Sequence, residues 1–185
     1  MAKIKILGIS GSLRKGSVNR SILRAALALV PDDAEIEIFD LEGIPPFNQD
    51  DEGNLPERVR ELKAKVKSAD AILFATPEYN YSVPGVLKNA IDWGSRPYPD
   101  NSWKGKPVAI MSAADGIIGG ERAQLHLRQS FVFLDMHPVN VPEVIVSSVA
   151  QKLDGSGNLT DGHTKEKIRE LLVALVALTR KLSAK

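Results

Sequence analysis

Serine, asparagine and arginine side chains are concentrated in one short segment, GISGSLRKGSVNRS at residues 8–21. An apolar run, KIKILGIS, leads into it and apolar residues at helical spacing follow, so the pattern predicts a strand, a loop and a helix. The first N–H groups of a helix lack partners within the helix, and the helix dipole is positive at that end. A polar loop in this position is therefore typical of an anion-binding site.

The donors in this loop favour a phosphate monoester, which offers three oxygens. Hydroxyl and amide donors occur at four positions: Ser10, Ser12, Ser17 and Asn19. The guanidinium of Arg14 adds a cation that binds two phosphate oxygens at once. The alternative is that these residues only cap the helix, but a cap uses one or two such side chains. We therefore interpret the loop as a phosphate site.

The segment at residues 8–21 departs from three known loop motifs. A P-loop requires Lys and Ser or Thr after its second glycine, but Ser-Val follows Gly16. The dinucleotide motif GxGxxG has Ser10 in place of its second glycine, although Asp40 at the end of the second predicted strand keeps that alternative open. The nucleophile motif GxSxG has Ser12 in place of its last glycine.

A second informative segment is ATPEYNYSVPGVLKNAIDW, residues 75–93, which follows the third predicted strand. It contains two tyrosines, two prolines and Asn80. Because proline restricts the backbone, such a loop can present fixed N–H and C=O groups to a flat polar ring. The alternative is an ordinary turn bounded by prolines, and this segment alone leaves both interpretations open.

Strand and helix patterns alternate five times along the chain. Strands are predicted at residues 3–10, 34–41, 71–77, 106–115 and 143–149, the last preceded by extended chain from His137. Helices are predicted at residues 19–30, 55–70, 83–93, 119–136 and 164–182, with Thr164 as a cap, and residues 43–54 are predicted to be a loop. The alternation predicts a parallel sheet covered on both faces. We expect an α/β flavodoxin-like three-layer sandwich with a five-stranded sheet in the order 2-1-3-4-5.

Composition excludes several classes of function. The 185 residues predict a single domain, 1–185, and a net charge of +1 gives no electrostatic indication of a nucleic-acid partner. There is no cysteine, which excludes thiolate chemistry, and the three histidines match no metal motif, so no metal site is expected. No stretch approaches the ~20 apolar residues of a membrane span. We expect a cytoplasmic protein without a membrane partner.

The two long segments together, GSLRKGSVNR and TPEYNYSVPGVLKNAIDW, resemble the NADPH-dependent FMN reductase family, in its chromate and quinone reductase branch. The segment SAADGIIGGERAQLHLRQSFVFLD, residues 112–135, is similar to the same family's loop and helix after strand four. The resemblance extends over most of the chain, roughly residues 4–146. It implies a flavodoxin-like domain that binds FMN.

The resemblance also implies roles for individual residues. The FMN phosphate would be held by Ser12, Arg14, Ser17 and Asn19, with Leu13 and Val18 contributing backbone. The loop along the flavin ring would be Pro77, Glu78, Tyr79, Asn80 and Tyr81. The loop near the ribityl chain would include Ser112, Asp115 and Gly116, although alanine occupies 113 and 114, where some relatives carry hydroxyls. Arg96 matches an arginine near the open flavin face, where it would meet NAD(P)H or an anionic acceptor.

The activity implied is ping-pong hydride transfer from NADPH or NADH to flavin N5 and then to a small acceptor. Quinones, chromate, azo or nitro compounds and free flavin all suit an open flavin face, and no acid or base side chain is required. Family members are homodimers or homotetramers, and residues 85–93 and 131–139 are candidate contact surfaces. His126 is expected to have a packing or subunit-contact role.

Two other functions remain open from the sequence. One is a flavodoxin-like FMN module that passes electrons to a protein partner, but flavodoxins are strongly acidic and this chain has a net charge of +1. The other is a dinucleotide-binding regulatory domain, which would bind pyridine nucleotide and no flavin.

Overall fold

Four parallel strands form the centre of the molecule in a computed structural model, which describes residues 2–184. They are β1 (Ile4–Ser10), β2 (Ala34–Phe39), β3 (Ala71–Thr76) and β4 (Pro107–Ala113), and they lie in the order β2-β1-β3-β4. Two short strands, β5 (His137–Pro138) and β6 (Val144–Val146), both pair in parallel with β4. The predicted order 2-1-3-4-5 is therefore confirmed, with its fifth position divided between two short strands.

The helices lie on both faces of this sheet. They are α1 (Val18–Leu27), α2 (Glu57–Ser68), α3 (Gly85–Gly94), α4 (Glu121–Leu134) and α5 (Gly162–Ser183). Apolar residues of α1 and α5 share one core with the sheet, and those of α2, α3 and α4 share the other. The predicted three-layer flavodoxin-like fold is confirmed. Every residue of β3 and β4 is buried, because both of their faces are covered. Within residues 2–184, no helix combines the length and apolar character needed to cross a membrane.

The predicted helix cap at Thr164 is wrong. The N-cap of α5 is Asp161, whose carboxylate accepts hydrogen bonds from the backbone N–H of Thr164 at 2.8 Å and from its hydroxyl. Aspartate is a strong N-cap, so the helix begins before Thr164. The predicted loop at residues 43–54 ends in a 3-10 helix, Gln49–Asn54, which begins where Asn48 accepts a hydrogen bond from Asp50 N–H.

Helix α3 is held by two buried tryptophans. The indole N–H of Trp93 donates to the carbonyl of Pro45 at 2.9 Å, and that of Trp103 donates to the carbonyl of Ile91 at 2.9 Å. Both side chains are fully buried. The Trp103 ring packs directly on Gly94, where an added Cβ would lie 2.7 Å from Cζ2 of the indole. The lack of a side chain at Gly94 therefore allows the end of α3 to pack directly against the Trp103 ring.

We expect Gly94→Ala to destabilise the fold by about 1 to 3 kcal/mol, because the new methyl group overpacks a full core. Urea unfolding followed by tryptophan fluorescence measures the change. Gly85→Ala on the same helix is the matched control, since nothing lies within 4 Å of its added Cβ, and it should leave stability unchanged or slightly increased. Equal stability of Gly94→Ala and the wild type would contradict this packing.

Candidate active site

Three loops meet at the carboxyl edge of the sheet. Residues 11–17 follow β1, residues 77–84 follow β3 and residues 114–120 follow β4, and these strands are neighbours. The first loop is joined to the end of β3 where Gly11 N–H donates to the carbonyl of Ala75 at 2.8 Å. Because α1 and α3 cover opposite faces, the chain turns away in opposite directions after β1 and β3. Ligands of open α/β sheets bind at such a point.

The loop after β1 contains several donors that have no acceptor within the part of the chain that the structure describes. Ser17 is the N-cap of α1, and its Oγ accepts from Arg20 N–H at 3.3 Å. Ser12 Oγ accepts from Arg14 N–H at 3.4 Å. Both hydroxyls are buried and keep a proton to donate. The N–H groups of Val18 and Asn19 have no partner in the first turn of the helix, so they are also available to an anion.

The two arginines of this loop behave differently. Arg14 is exposed, and its guanidinium makes no hydrogen bond or ion pair with any residue from 2 to 184. Arg20 is instead paired with the Asp40 carboxylate at 2.8 Å and donates from Nε to the carbonyl of Ser12 at 3.0 Å. It therefore fixes the loop to the end of β2. Since Asp40 is already paired, this contact counts against a ribose-binding role for that carboxylate. Leu13, which follows Ser12, is partly exposed.

Asn19 connects two of the loops. Its Nδ2 donates to the carbonyl of Ala113 at 2.9 Å, and its Oδ1 accepts from Ala113 N–H at 3.0 Å. The side chain is almost completely buried. This pair of bonds ties the start of α1 to the end of β4, so the amide serves chiefly to join the loops. What Asn19 offers a phosphate is mainly its backbone N–H.

The loop after β3 forms a tight hairpin. Tyr79 and Ser82 exchange two backbone hydrogen bonds of 3.0 Å, and the residues between them have positive φ, 48° at Asn80 and 66° at Tyr81. These features define a type I′ turn, whose second central position favours glycine. A tyrosine there is under backbone strain. We call residues 79–82 the hairpin. The rings of Tyr79 and Tyr81 are exposed, and Pro77 precedes the turn.

Glu78 does not extend toward the space between the loops. Its carboxylate accepts from the backbone N–H of Arg122 at 3.0 Å and from its guanidinium at 2.7 Å. It therefore occupies the amino end of α4, where a negative charge is favoured. The hydrogen bond between the Arg122 guanidinium and the Glu78 carboxylate raises the pKa of Arg122 above its usual range. What remains for a ligand here is the backbone of the loop and the exposed side chains of residues 79–81.

Hydrogen bonds to α4 and to residue 150 hold the end of β4 and the loop that follows it. Ser112 is fully buried, and its Oγ accepts from Gln124 Nε2 at 2.8 Å. Asp115 accepts from Ala150 N–H at 2.9 Å. Gly116 is exposed, and no atom lies within 4 Å of the position of an added Cβ. Ser112 and Asp115 thus use their side chains to hold the loop, and Gly116 leaves room beside it.

Arg96 lies apart from these loops within one chain. It follows the carboxyl end of α3, whereas the hairpin precedes the amino end, and a helix of that length spans about 15 Å. Its guanidinium is 3.7 Å from the Glu52 carboxylate and 5.9 Å from the centre of the Phe47 ring. A cavity of about 610 Å³ adjoins it.

Buried Lys63 fixes the backbone around Arg96. Its ammonium donates to the carbonyls of Gly94 at 3.3 Å and Asp100 at 2.9 Å, and also to that of Arg96. Burial lowers the pKa of Lys63, although the nearby Asp100 carboxylate opposes this effect. The sequence carried a signal for this residue, because Lys63 interrupts the apolar stripe of α2. Arg20, Arg122 and Gln124 gave no such signal, since their partners are distant in sequence.

Comparison with known proteins identifies the family. The model of the NADPH-dependent FMN reductase family matches residues 4–151. The chain belongs to this family. It is 51% identical to an NAD(P)H-dependent FMN reductase of Pseudomonas aeruginosa, over 97% of each chain. It is 48% identical to an NAD(P)H:quinone oxidoreductase of Solanum tuberosum, over 98% of this chain and 96% of the relative.

A solved structure supports the same assignment. The flavoenzyme FerB of Paracoccus denitrificans, an NAD(P)H:(acceptor) oxidoreductase, superposes on this reductase-family chain with a TM-score of 0.89. The two are 34% identical, and the alignment covers 96% of this chain and 98% of that one. The family uses FMN with NAD(P)H as electron donor.

The residues present fit FMN. The loop after β1 offers hydroxyls, free N–H groups and one unengaged arginine, which together suit a phosphate monoester. Ser10 Oγ at the base of this loop is buried and has no hydrogen-bond partner among residues 2–184. The other two loops present backbone that the hydrogen bonds of the hairpin and of Asp115 hold in place, and Gly116 leaves room beside the loop after β4. No group of three or more potential metal ligands occurs in the described part of the chain.

In this reductase-family protein, Asn19→Ala should lower both the free energy of unfolding and the affinity for FMN. It leaves the N–H and C=O of Ala113 buried and unpaired, which should cost about 2 to 4 kcal/mol of unfolding free energy. FMN affinity should fall as well, since two loops lose their connection. Chemical unfolding and flavin titration measure the two effects. The exposed Asn54→Ala is the control, and similar values for both variants would refute the joining role of Asn19.

Proposed function

We propose that this chain is an FMN-dependent NAD(P)H oxidoreductase that reduces quinones and other small acceptors by a ping-pong reaction. The observation that carries the proposal is the meeting of three loops at one edge of the sheet, one with donors for a phosphate and two with fixed backbone. Relatives named FMN reductase and quinone oxidoreductase match nearly the whole chain, which supports this acceptor class. Chromate, azo and nitro compounds and free flavin remain further candidates.

The residues of the chain bind and orient the cofactor. Arg14, Ser12 and Ser17 would hold the phosphate together with the first N–H groups of α1, whose cap is Ser17. The hairpin and the backbone at residues 113–116 would hold the flat ring. FMN, when bound, supplies the hydride chemistry. The chain needs no general acid or base of its own for this reaction.

An electron-transfer module remains the second candidate because the fold is shared. The net charge of +1 and the names of the near full-length relatives favour the reductase. The proposal includes the cytoplasmic location expected from a chain without cysteine.

Separate half-reactions without oxygen distinguish the two candidates. For a ping-pong reductase, NADPH or NADH alone bleaches the visible absorbance of the FMN-loaded protein, and a small quinone then restores it. An electron-transfer module would be bleached only slowly by either nucleotide. Absence of bleaching by both nucleotides would contradict the proposal.

Arg14→Gln should weaken FMN binding roughly 10- to 100-fold, because it removes a charge-assisted contact with the phosphate. Riboflavin, which lacks the phosphate, should bind the variant and the wild type equally. Titration by flavin fluorescence measures both ligands. Lys15→Gln removes the same charge one residue away and is the control. Equal loss of FMN affinity in both variants would show a general charge effect instead of a specific phosphate contact.

Tyr81→Phe should leave turnover nearly unchanged in protein that is saturated with FMN. The side chain is 68% exposed, and the proposed reaction requires no proton from its hydroxyl. Steady-state NAD(P)H oxidation with a quinone measures the effect. Loss of turnover with FMN fully bound would show that the chain supplies an acid or base after all.

We further propose that the chain forms a homodimer or homotetramer. On α3 the apolar residues Leu87, Ala90 and Ile91 are buried in the chain's own core, so this helix offers little apolar surface. Val132 and Phe133 on α4 are each 84% exposed. The segment 131–139 is therefore the better candidate contact. Helix α3, which spans about 15 Å, lies between Arg96 and the hairpin of its own chain, so we propose that Arg96 meets NAD(P)H or an anionic acceptor at the site of a second copy.

Phe133→Asp should reduce the assembly to a smaller species, because a charge would be buried without a partner at the contact. Sedimentation velocity measures the mass. Val173→Asp, at a half-exposed apolar residue of α5, is the control and should keep the assembly of the wild type. An unchanged mass for Phe133→Asp would rule out this surface.

A further inference from the structure

We propose that Arg122 is a positioning residue that holds the hairpin in its strained shape for the flavin. This inference rests on the proposed function, because it assigns the hairpin to the cofactor. The sequence comparison gave no role to Arg122. Its place in the fold suggests one, since it lies in the first turn of α4, a rigid element that faces the hairpin.

Two contacts of Arg122 reach the hairpin and the residue before it. The guanidinium pairs with the Glu78 carboxylate at 2.7 Å, and its central carbon lies 3.8 Å from the centre of the Tyr81 ring. A guanidinium is planar, so it can pair at its edge and stack on an aromatic ring at the same time. Arg122 therefore joins the residue before the hairpin and the second central residue of the turn to one point on α4.

The strain in the hairpin explains why such a support is needed. Tyr81 has a φ of 66°, a backbone region that side chains larger than asparagine rarely adopt. A residue held there tends to relax unless its surroundings fix it. Stacking on Arg122 fixes the Tyr81 side chain, and the Glu78 pair fixes the chain before the turn.

A second residue of α4 contacts the same hairpin. His126 Nδ1 lies 2.9 Å from the Ser82 hydroxyl. Residues 122 and 126 are four apart, so they lie on the same face of the helix. The hairpin is thus supported from the side of α4, while Tyr81 stays largely exposed. A preformed loop of this kind lowers the entropy lost when a ligand binds.

The test compares Arg122→Gln and Arg122→Lys with the wild type in two measurements. Titration of FMN-free protein with FMN should give about three- to tenfold weaker binding for Arg122→Gln, because preorganisation is lost. Arg122→Lys should recover only part of the affinity, since an ammonium keeps the charge but cannot stack and pair at once. Hydrogen exchange of the Ser82 amide, which donates to Tyr79, should become faster in Arg122→Gln even without FMN.

A double-mutant cycle with Tyr81→Gly tests the mechanism directly. Glycine adopts positive φ without strain, so the turn no longer needs its support. In the Tyr81→Gly background, Arg122→Gln should therefore change Ser82 exchange and FMN affinity less than it does in the wild type. Arg169→Gln removes an exposed arginine of α5 and is the control for loss of charge.

Each outcome has a definite meaning. If the wild type binds FMN and Arg122→Gln matches it in affinity and exchange, the inference is wrong and the proposed function stands. Full recovery by Arg122→Lys, or an equal effect in the Tyr81→Gly background, would also overturn it. If the wild type binds no FMN, the proposed function fails, and this inference fails with it.

Discussion

The in-register pairing of three parallel strands is the constraint on which the site depends. Ser10 of β1 pairs with Ala75 of β3, and Thr76 of β3 pairs with Ser112 of β4. All three strands therefore end at nearly the same level, and the loops that follow them start side by side. Buried apolar residues on both faces hold this register, because a shift would expose the core to water.

Polar side chains then fix the loops relative to one another. Asn19 connects the first loop to the end of β4, Arg20 connects it to the end of β2, and Glu78 connects the second loop to α4. Each of these bonds joins residues that are distant in sequence, so each one fixes a loop of the site to another part of the fold. The side chains that make these bonds are engaged within the chain, so the donors left for a ligand are backbone N–H groups, the Ser12 and Ser17 hydroxyls and Arg14.

Much of the fold could be predicted from the sequence, because it depends on local signals. The apolar run of β3 and the helical spacing of α2 and α5 each indicate an element directly. The exact first residue of a helix is harder to predict, as at Thr164, because several neighbouring residues can serve as the cap. Extended chain from His137 is predicted ahead of the fifth strand, but the sequence does not indicate that this segment pairs with β4 as a separate short strand, β5.

The sequence predicts which loops form the candidate site, but it does not predict the contacts that their side chains make. The loops at residues 8–21 and 75–93 both stand out by their composition, and the assignment of their residues to the cofactor stays a prediction. However, Asn19, Glu78 and Ser112, which the resemblance assigns to the cofactor, direct their side chains largely to other parts of the chain. Their partners lie far away in sequence, so only the folded structure shows these contacts. For the same reason the support given by Arg122 could not be foreseen.

The most direct test of the account is the visible spectrum of the purified protein, with identification of the cofactor released by heat. The account predicts a yellow protein that releases FMN at about one per chain, since one phosphate site per chain is proposed. A colourless protein that also fails to bind added FMN would contradict it. The loop at residues 8–21 would then require another ligand, with a nucleotide as the first candidate.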